Sequence, residues 1–184
     1  MPADGKGERK ALTSAGGPFK SGIWWSPDSK WITFGDKTGR LFLVSAEGGE
    51  AKEVDREPWG GMPQPSFSQD SAWITYAKTD DDRRNNSIWV YEVATGARHR
   101  LTTGMFDDGT PVFSRNGDWI FFRSDRSFQP RYSQLDDSWI YDNASRLYAM
   151  PLRKDVKHPW LAESDAPPRP RSGTARRCPA SPSA

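Results

Sequence analysis

Nucleophilic catalysis needs a Ser or Cys held against a general base, most often His. This chain offers two histidines, His99 and His158, and one cysteine, Cys178. His99 falls in a polar run at the place taken by Lys10 and Lys52 in two similar runs, so a solvated cation serves there as well. His158 lies in Lys157-His-Pro-Trp160, after the last apolar segment. No Gly-x-Ser-x-Gly elbow or His-Glu-x-x-His zinc motif occurs, and Gly104 to Gly109 lacks the pattern of a phosphate loop. A lone cysteine builds neither an internal disulfide nor a cysteine zinc site. Asp80, Asp81 and Asp82 adjoin one another, without the alternate spacing and glycine of a calcium loop, and read as a solvated loop. Asp136 and Asp137 are neighbours, and neighbours on an extended segment point opposite ways. They read as loop caps rather than an acid–base dyad. No catalytic, cofactor-binding or metal residue is assigned. What remains is recognition: Arg126, Arg131, Tyr132 and Trp139 cluster in one segment, and aromatic residues and Arg are favoured where proteins grip peptides.

The elements that must carry these residues announce themselves by repetition. The phrase Trp25-Ser-Pro-Asp-Ser-Lys-Trp-Ile-Thr-Phe34 returns as Phe67-Ser-Gln-Asp-Ser-Ala-Trp-Ile-Thr-Tyr76 and as Phe113-Ser-Arg-Asn-Gly-Asp-Trp-Ile-Phe-Phe122. A second set keeps the same phase: Gly7-Glu-Arg-Lys-Ala-Leu-Thr13, Gly49-Glu-Ala-Lys-Glu-Val-Asp55 and Gly96-Ala-Arg-His-Arg-Leu-Thr102. Periods of about 40–50 residues belong to propeller blades and related arrays.

Within a repeat, Trp31-Ile-Thr-Phe34 alternates β-branched and aromatic residues as a half-buried strand does. The preceding Ser26-Pro27-Asp28-Ser29 predicts a type I turn, with Pro presetting φ at its second position. Asn116-Gly117 meets the same need in the third copy through a positive φ at glycine. A further strand follows at Arg40–Val44, Ile88–Val93 and Arg146–Met150. A short innermost strand is expected around 22–24, 64–66 and 110–112, and a polar outer strand ends in the second echo. Four strands per repeat make one antiparallel blade, and Gly60-Gly61 reads as a turn between blades.

Composition agrees. Apolar residues make up 35% of the chain while aromatics reach 12% with nine Trp, which suits short strands with large inward side chains better than aliphatic helices. Net charge is +2, with arginines gathered in the last twenty residues, and no basic stripe interleaves with aromatics elsewhere. A nucleic-acid partner is therefore not expected. No apolar run approaches the ~18 residues of a membrane span. The first ten residues lack the hydrophobic centre of a signal peptide, so a cytoplasmic, membrane-free protein is expected.

The repeated phrase resembles the blade motif shared by TolB-type propellers, prolyl-oligopeptidase propellers and tricorn proteases. The stretches between copies are more telling: Asp55-Arg-Glu-Pro-Trp-Gly-Gly61, Asn86-Ser-Ile-Trp-Val-Tyr91, Thr103-Gly-Met-Phe-Asp-Asp108, Phe121-Phe-Arg-Ser-Asp-Arg126, and Tyr141-Asp-Asn-Ala-Ser-Arg-Leu-Tyr-Ala-Met-Pro-Leu-Arg153. Together they resemble the bacterial tricorn protease homologues over residues 3 to 165. The resemblance implies a larger enzyme with two propellers, a PDZ domain and the catalytic domains of a serine peptidase that cleaves oligopeptides. Its propellers guide peptides, and the family is expected to be oligomeric. The peptidase's catalytic residues match nothing in this chain.

The expected architecture is all-β, a partial β-propeller of about three four-stranded antiparallel blades. Residues 1–13 form the outer strand of a truncated blade. Blades follow at 14–55, 56–102 and 103–164, the last with an insertion at 126–144. Residues 165–184, rich in Pro, Arg, Ala and Ser, read as a disordered tail. The abrupt change of composition there fits a shifted reading frame. The leading reading is a non-catalytic propeller fragment of a tricorn-like serine peptidase with a channelling or scaffold role. A stand-alone TolB-type interaction module and a propeller piece of a prolyl-oligopeptidase-like enzyme stay open as alternatives.

Overall fold

The structure is a computed structural model, and it describes residues 11–13, 17–61, 63–79, 85–127, 130–132, 139–141 and 145–160. Every regular element is a strand. The first blade contains β1 (Lys20–Trp25), β2 (Trp31–Asp36), β3 (Arg40–Ser45) and β4 (Lys52–Arg56). The second contains β5 (Ser66–Phe67), β6 (Trp73–Thr79), β7 (Asn86–Glu92) and β8 (Arg98–Arg100). The third contains β9 (Asp108–Phe113), β10 (Trp119–Ser124) and β13 (Arg146–Pro151). A small hairpin, β11 (Pro130–Tyr132) with β12 (Trp139–Tyr141), occupies the insertion between β10 and β13.

Blades one and two are four-stranded meanders in chain order, β1-β2-β3-β4 and β5-β6-β7-β8. Blade three has three strands among the described residues, ordered β13-β10-β9, where a fourth is expected from the repeat. Instead of an outer strand, the chain after Pro151 turns back. Trp160 packs at 5.7 Å from Phe121 and His158 at 6.2 Å from Trp119, covering the blade's far face with aromatic rings. The expected outer strand at Gly7–Thr13 lies outside the described residues except for 11–13. There Leu12 packs on Ile32, Phe34 and Val44, on the opposite flank of blade one.

The sheets stack face to face, and the core lies between them. Leu41, Leu43 and Val54 of blade one meet Ile74, Tyr76 and Tyr91 of blade two. Ile88 and Val90 of blade two meet Ile120 and Phe122 of blade three. Alternation makes this possible, because each strand sends successive side chains to opposite neighbours.

The three copies of the turn fold alike. Ser26, Ser68 and Ser114 each accept a hydrogen bond from the backbone N–H three residues on, at 3.0, 2.9 and 3.0 Å. Their hydroxyls in turn accept from the N–H of Trp31, Trp73 and Trp119, each at 2.9 Å. The residue three on, whose N–H closes the turn, is left-handed in all three copies: Ser29 (φ 60°), Ser71 (φ 60°) and Gly117 (φ 74°). The sequence revealed that requirement only at Gly117. The innermost strands of blades one and three also share a left-handed residue, Gly22 and Thr110, each at a register shift against the second strand. These bulges give β1 and β9 six residues, whereas β5 has two.

Candidate functional site

A meander of four strands places its turns at two opposite ends. One end carries the Ser-x-Asx turns and the turns before the outer strands. The other carries the second-to-third-strand turns, the connectors between blades, and the 126–144 insertion with its four sequence candidates. Exposed apolar side chains gather on the connectors at this second end: Phe19, Trp59 and Met105 are 72%, 73% and 70% exposed. Trp59 and Met105 lie on successive connectors between blades, both at this end of the array. Phe19 is placed by its carbonyl, which accepts from Lys37 N–H in the adjacent turn at 3.0 Å.

Arg126 leaves the end of β10 and is gripped from several sides. Its Nη2 donates to both carboxylate oxygens of Asp108, at 2.9 and 3.0 Å, and its Nε to Ser124 Oγ at 2.8 Å. The guanidinium carbon stands 4.8 Å from the ring centre of Tyr148 and 5.5 Å from those of Phe106 and Phe122. Asp108 is 1% exposed, so the pair neutralises a charge that burial would otherwise penalise heavily. Arg126 thus holds the entrance to the insertion, with Nη1 left without a protein partner among the described residues.

Of the other candidates, Arg131 and Tyr132 lie on β11 and Trp139 on β12; the register sets Tyr132 opposite Trp139 and Arg131 opposite Ile140. The insertion therefore brings three of the four candidates onto one hairpin, with Arg126 at its base. Asp136 and Asp137, Asp80 to Asp82 and Cys178 lie outside the described residues. His99 is on β8 at the opposite end, exposed, its ring 6.4 Å from Trp73. His158 accepts from Trp160 N–H at 3.2 Å through Nδ1. Among the described residues no three His, Cys, Asp or Glu side chains converge as metal ligands would, and no helix is long and apolar enough to cross a membrane.

Sequence reasoning missed the polar ties that hold blade to blade. Asp55, 3% exposed, accepts from the phenol of Tyr76 at 2.7 Å, from Lys78 Nζ at 2.9 Å and from Arg98 Nη1 at 3.1 Å. Burial, then the Asp55 charge, drives the Tyr76 phenol far above its ordinary pKa, so it stays a donor. Lys78 also lies 4.6 Å from the ring centre of Trp89. Glu57 accepts from both the N–H and the hydroxyl of Thr79, at 2.7 and 2.8 Å. Asp107 accepts from the N–H and Nδ2 of Asn86, at 3.0 and 2.8 Å. Gly39 packs onto the first connector so closely that a Cβ would stand 2.4 Å from the Glu57 carbonyl oxygen, at a φ of +80°. One sequence signal pointed here: Asp55 stands where the other two echoes carry Thr13 and Thr102.

Comparison with known proteins agrees with this geometry. The tricorn protease second beta propeller domain matches residues 2–176, running past Asp165 into the Pro- and Arg-rich segment. The chain is 25% identical over 139 residues to the tricorn protease of Thermoplasma volcanium and 27% identical over 135 residues to tricorn protease homolog 1 of Streptomyces coelicolor. Each alignment covers 73% of this chain but only 14% and 13% of those proteins, so the chain spans about a seventh of their length. Among solved structures, the tricorn protease superposes with a TM-score of 0.69 at 18% identity, over 76% of this chain and 14% of that one. TolB of Acinetobacter baumannii superposes at 0.50 with 21% identity, over 67% and 32%, and shows the shared blade fold. With stacked antiparallel blades, inter-blade ties in the stretches between copies, and a family match across nearly the whole sequence, the chain belongs to the tricorn protease second β-propeller domain family.

Proposed function

We propose that this chain serves as part of the guide wall of a tricorn-like serine peptidase that degrades oligopeptides. It contacts peptide without contributing a residue to cleavage. Family membership supports the peptidase context. The observation that carries the guiding role is that Trp59 and Met105, on successive connectors, stand open at the end of the array that also carries Arg126. Aromatic residues, Met and Arg are enriched where proteins recognise peptide, and Met adapts to varied side chains. The Asp108 pair keeps the Arg126 guanidinium fixed, and a peptide carbonyl is the partner proposed for its Nη1. The hairpin of β11 and β12, which carries Arg131, Tyr132 and Trp139, leaves from the same end.

The test is fluorescence anisotropy with a labelled mixture of hexapeptides and the full chain. Saturable binding is expected, and Trp59→Ala with Met105→Ala weakens it about fivefold or more. Both side chains are exposed, so circular dichroism of the double variant stays native. Undiminished binding in that variant, or none in the parent chain, would overturn the reading.

A further inference from the structure

The turn ends of the blades hold a second, separate feature. Between blades one and two, Asp28 N–H donates to Ser71 Oγ at 3.1 Å, tying one Ser-x-Asx turn to the next. The equivalent of Ser71 in blade three is Gly117, which has no hydroxyl to receive Asp70. A Cβ built on Gly117 meets nothing within 4 Å, whereas Ser71 is 4% exposed. At the same place Val93 packs into the first inter-blade core, but its equivalent Leu152 is 40% exposed. The untied turns part, and a cavity of about 770 Å³ opens between blades two and three.

Its walls are Trp73, Val90 and Leu101 from blade two and Phe113 and Leu152 from blade three. The rim carries charge of both signs, but the carboxylates are engaged. Asp70 accepts from Ser68 Oγ at 2.5 Å and from Ala72 N–H at 3.1 Å. Asp118 accepts from Arg153 at 2.5 Å and from Asn116 Nδ2 at 2.7 Å. Arg115 is exposed at the rim with no hydrogen bond or ion pair among the described residues, and His99 stands on the same rim. An apolar cleft of several hundred Å³ with a few convergent polar groups is the usual form of a ligand site. Asp118 is paired with Arg153, Asp70 keeps its charge but has its acceptors taken up by Ser68 and Ala72, and Arg115 is the rim cation with donors to offer.

We propose that the crevice between blades two and three binds a carboxylate carried on an aromatic or branched apolar body, with the body against Trp73 and Phe113 and the carboxylate on Arg115. Free organic acids and peptide C-termini both present this chemistry. The inference stands apart from the guiding role, because the crevice lies at the other end of the blades.

The test uses the ¹⁵N-labelled full chain, titrated with N-acetyl-L-phenylalanine, with its amide, and with a hexapeptide ending in Phe as free acid. The acid is expected to shift the Trp73 indole and Gly117 amide signals saturably, with the amide about three- to fivefold weaker, as befits an exposed ion pair. Arg115→Gln abolishes the acid's advantage. Gly117→Ser supplies the hydroxyl that ties the turns elsewhere in the array and weakens both small ligands. Whichever of the small acid and the peptide saturates at the lower concentration is the natural source. Equal binding of acid and amide, shifts confined to other surfaces, or an acid preference that survives Arg115→Gln each overturn the proposal.

Discussion

The phenol of Tyr76, fully buried on the second strand of blade two, donates to the carboxylate of Asp55 on the outer strand of blade one at 2.7 Å. This contact joins two sheets across their hydrophobic interface, beside the bonds of Lys78 and Arg98 to the same carboxylate. Tyr76→Phe keeps the ring and removes the donor, leaving Asp55 with Lys78 and Arg98. A loss of about 1–3 kcal/mol is expected, read as a lower urea midpoint at unchanged slope. An unchanged midpoint would show that the two cations alone satisfy Asp55.

Within blade three, Arg126 pairs with the buried carboxylate of Asp108. Arg126→Ala strands a carboxylate that is 1% exposed, and a cost of about 3–5 kcal/mol is expected. Replacing Asp108 as well, by Asn, recovers part of that loss, since the stranded charge goes with it. Additive losses in the double variant would mean that the two side chains act independently.

The acid limb of stability is set partly by Asp36. Burial alone would push its carboxyl up, but hydrogen bonds from Thr38 and Arg40 outweigh burial and hold it below the usual range. The Ser26 hydroxyl lowers Asp28, and the Ser68 hydroxyl lowers Asp70. A depressed folded pKa means that the unfolded chain binds more protons as the medium turns acid. The stabilisation is therefore complete above the unfolded value of about 3.9 and drains away as pH falls through the folded one. Thermal melts of Asp36→Asn should show a shallower fall below pH 4 than the parent chain, and parallel curves would contradict this.

Ser29 adopts φ 60° with its side chain exposed, a conformation that costs an L-residue energy. Ser29→Gly relieves it and should stabilise by about 0.5–1 kcal/mol, seen as a higher melting temperature. Gly39→Ala should do the reverse, because it meets both a left-handed φ and the Glu57 carbonyl.

The outer flanks predict association. Ile23 and Trp25 on β1 are 70% and 56% exposed, and Val112 on β9 and Leu147 on β13 are also open. Exposed strand edges and apolar faces invite pairing. Light scattering should show mass rising with concentration, and a monodisperse monomer at high concentration would contradict it.

How much of this was written in the sequence divides by the range of the interaction. The strands and turns of each blade were legible because alternation and Ser-Pro-Asp or Asn-Gly chemistry are local. The left-handed Ser29 and Ser71 were not, since serine does not advertise positive φ as glycine does. The ties through Asp55, Glu57, Asn86 and Asp107 form across blade boundaries, and that of Arg126 between strands of blade three, and none carries a local period. Asp55, Glu57, Asn86, Asp107 and Arg126 all fall in the stretches between copies that resembled the tricorn family. The site was half legible: composition marked Arg126, Arg131, Tyr132 and Trp139, but only the structure sets Arg126 against Asp108. The exposed pair Trp59 and Met105 emerged once the connectors could be placed at one end.

The proposed wall holds peptide without cutting it. The most direct measurement follows binding and hydrolysis of one internally quenched hexapeptide series in the same sample of full chain. Saturable binding is expected with hydrolysis at the buffer rate, unaffected by a serine-directed phosphonylating reagent. Turnover that the reagent abolishes in proportion to chain concentration would contradict it.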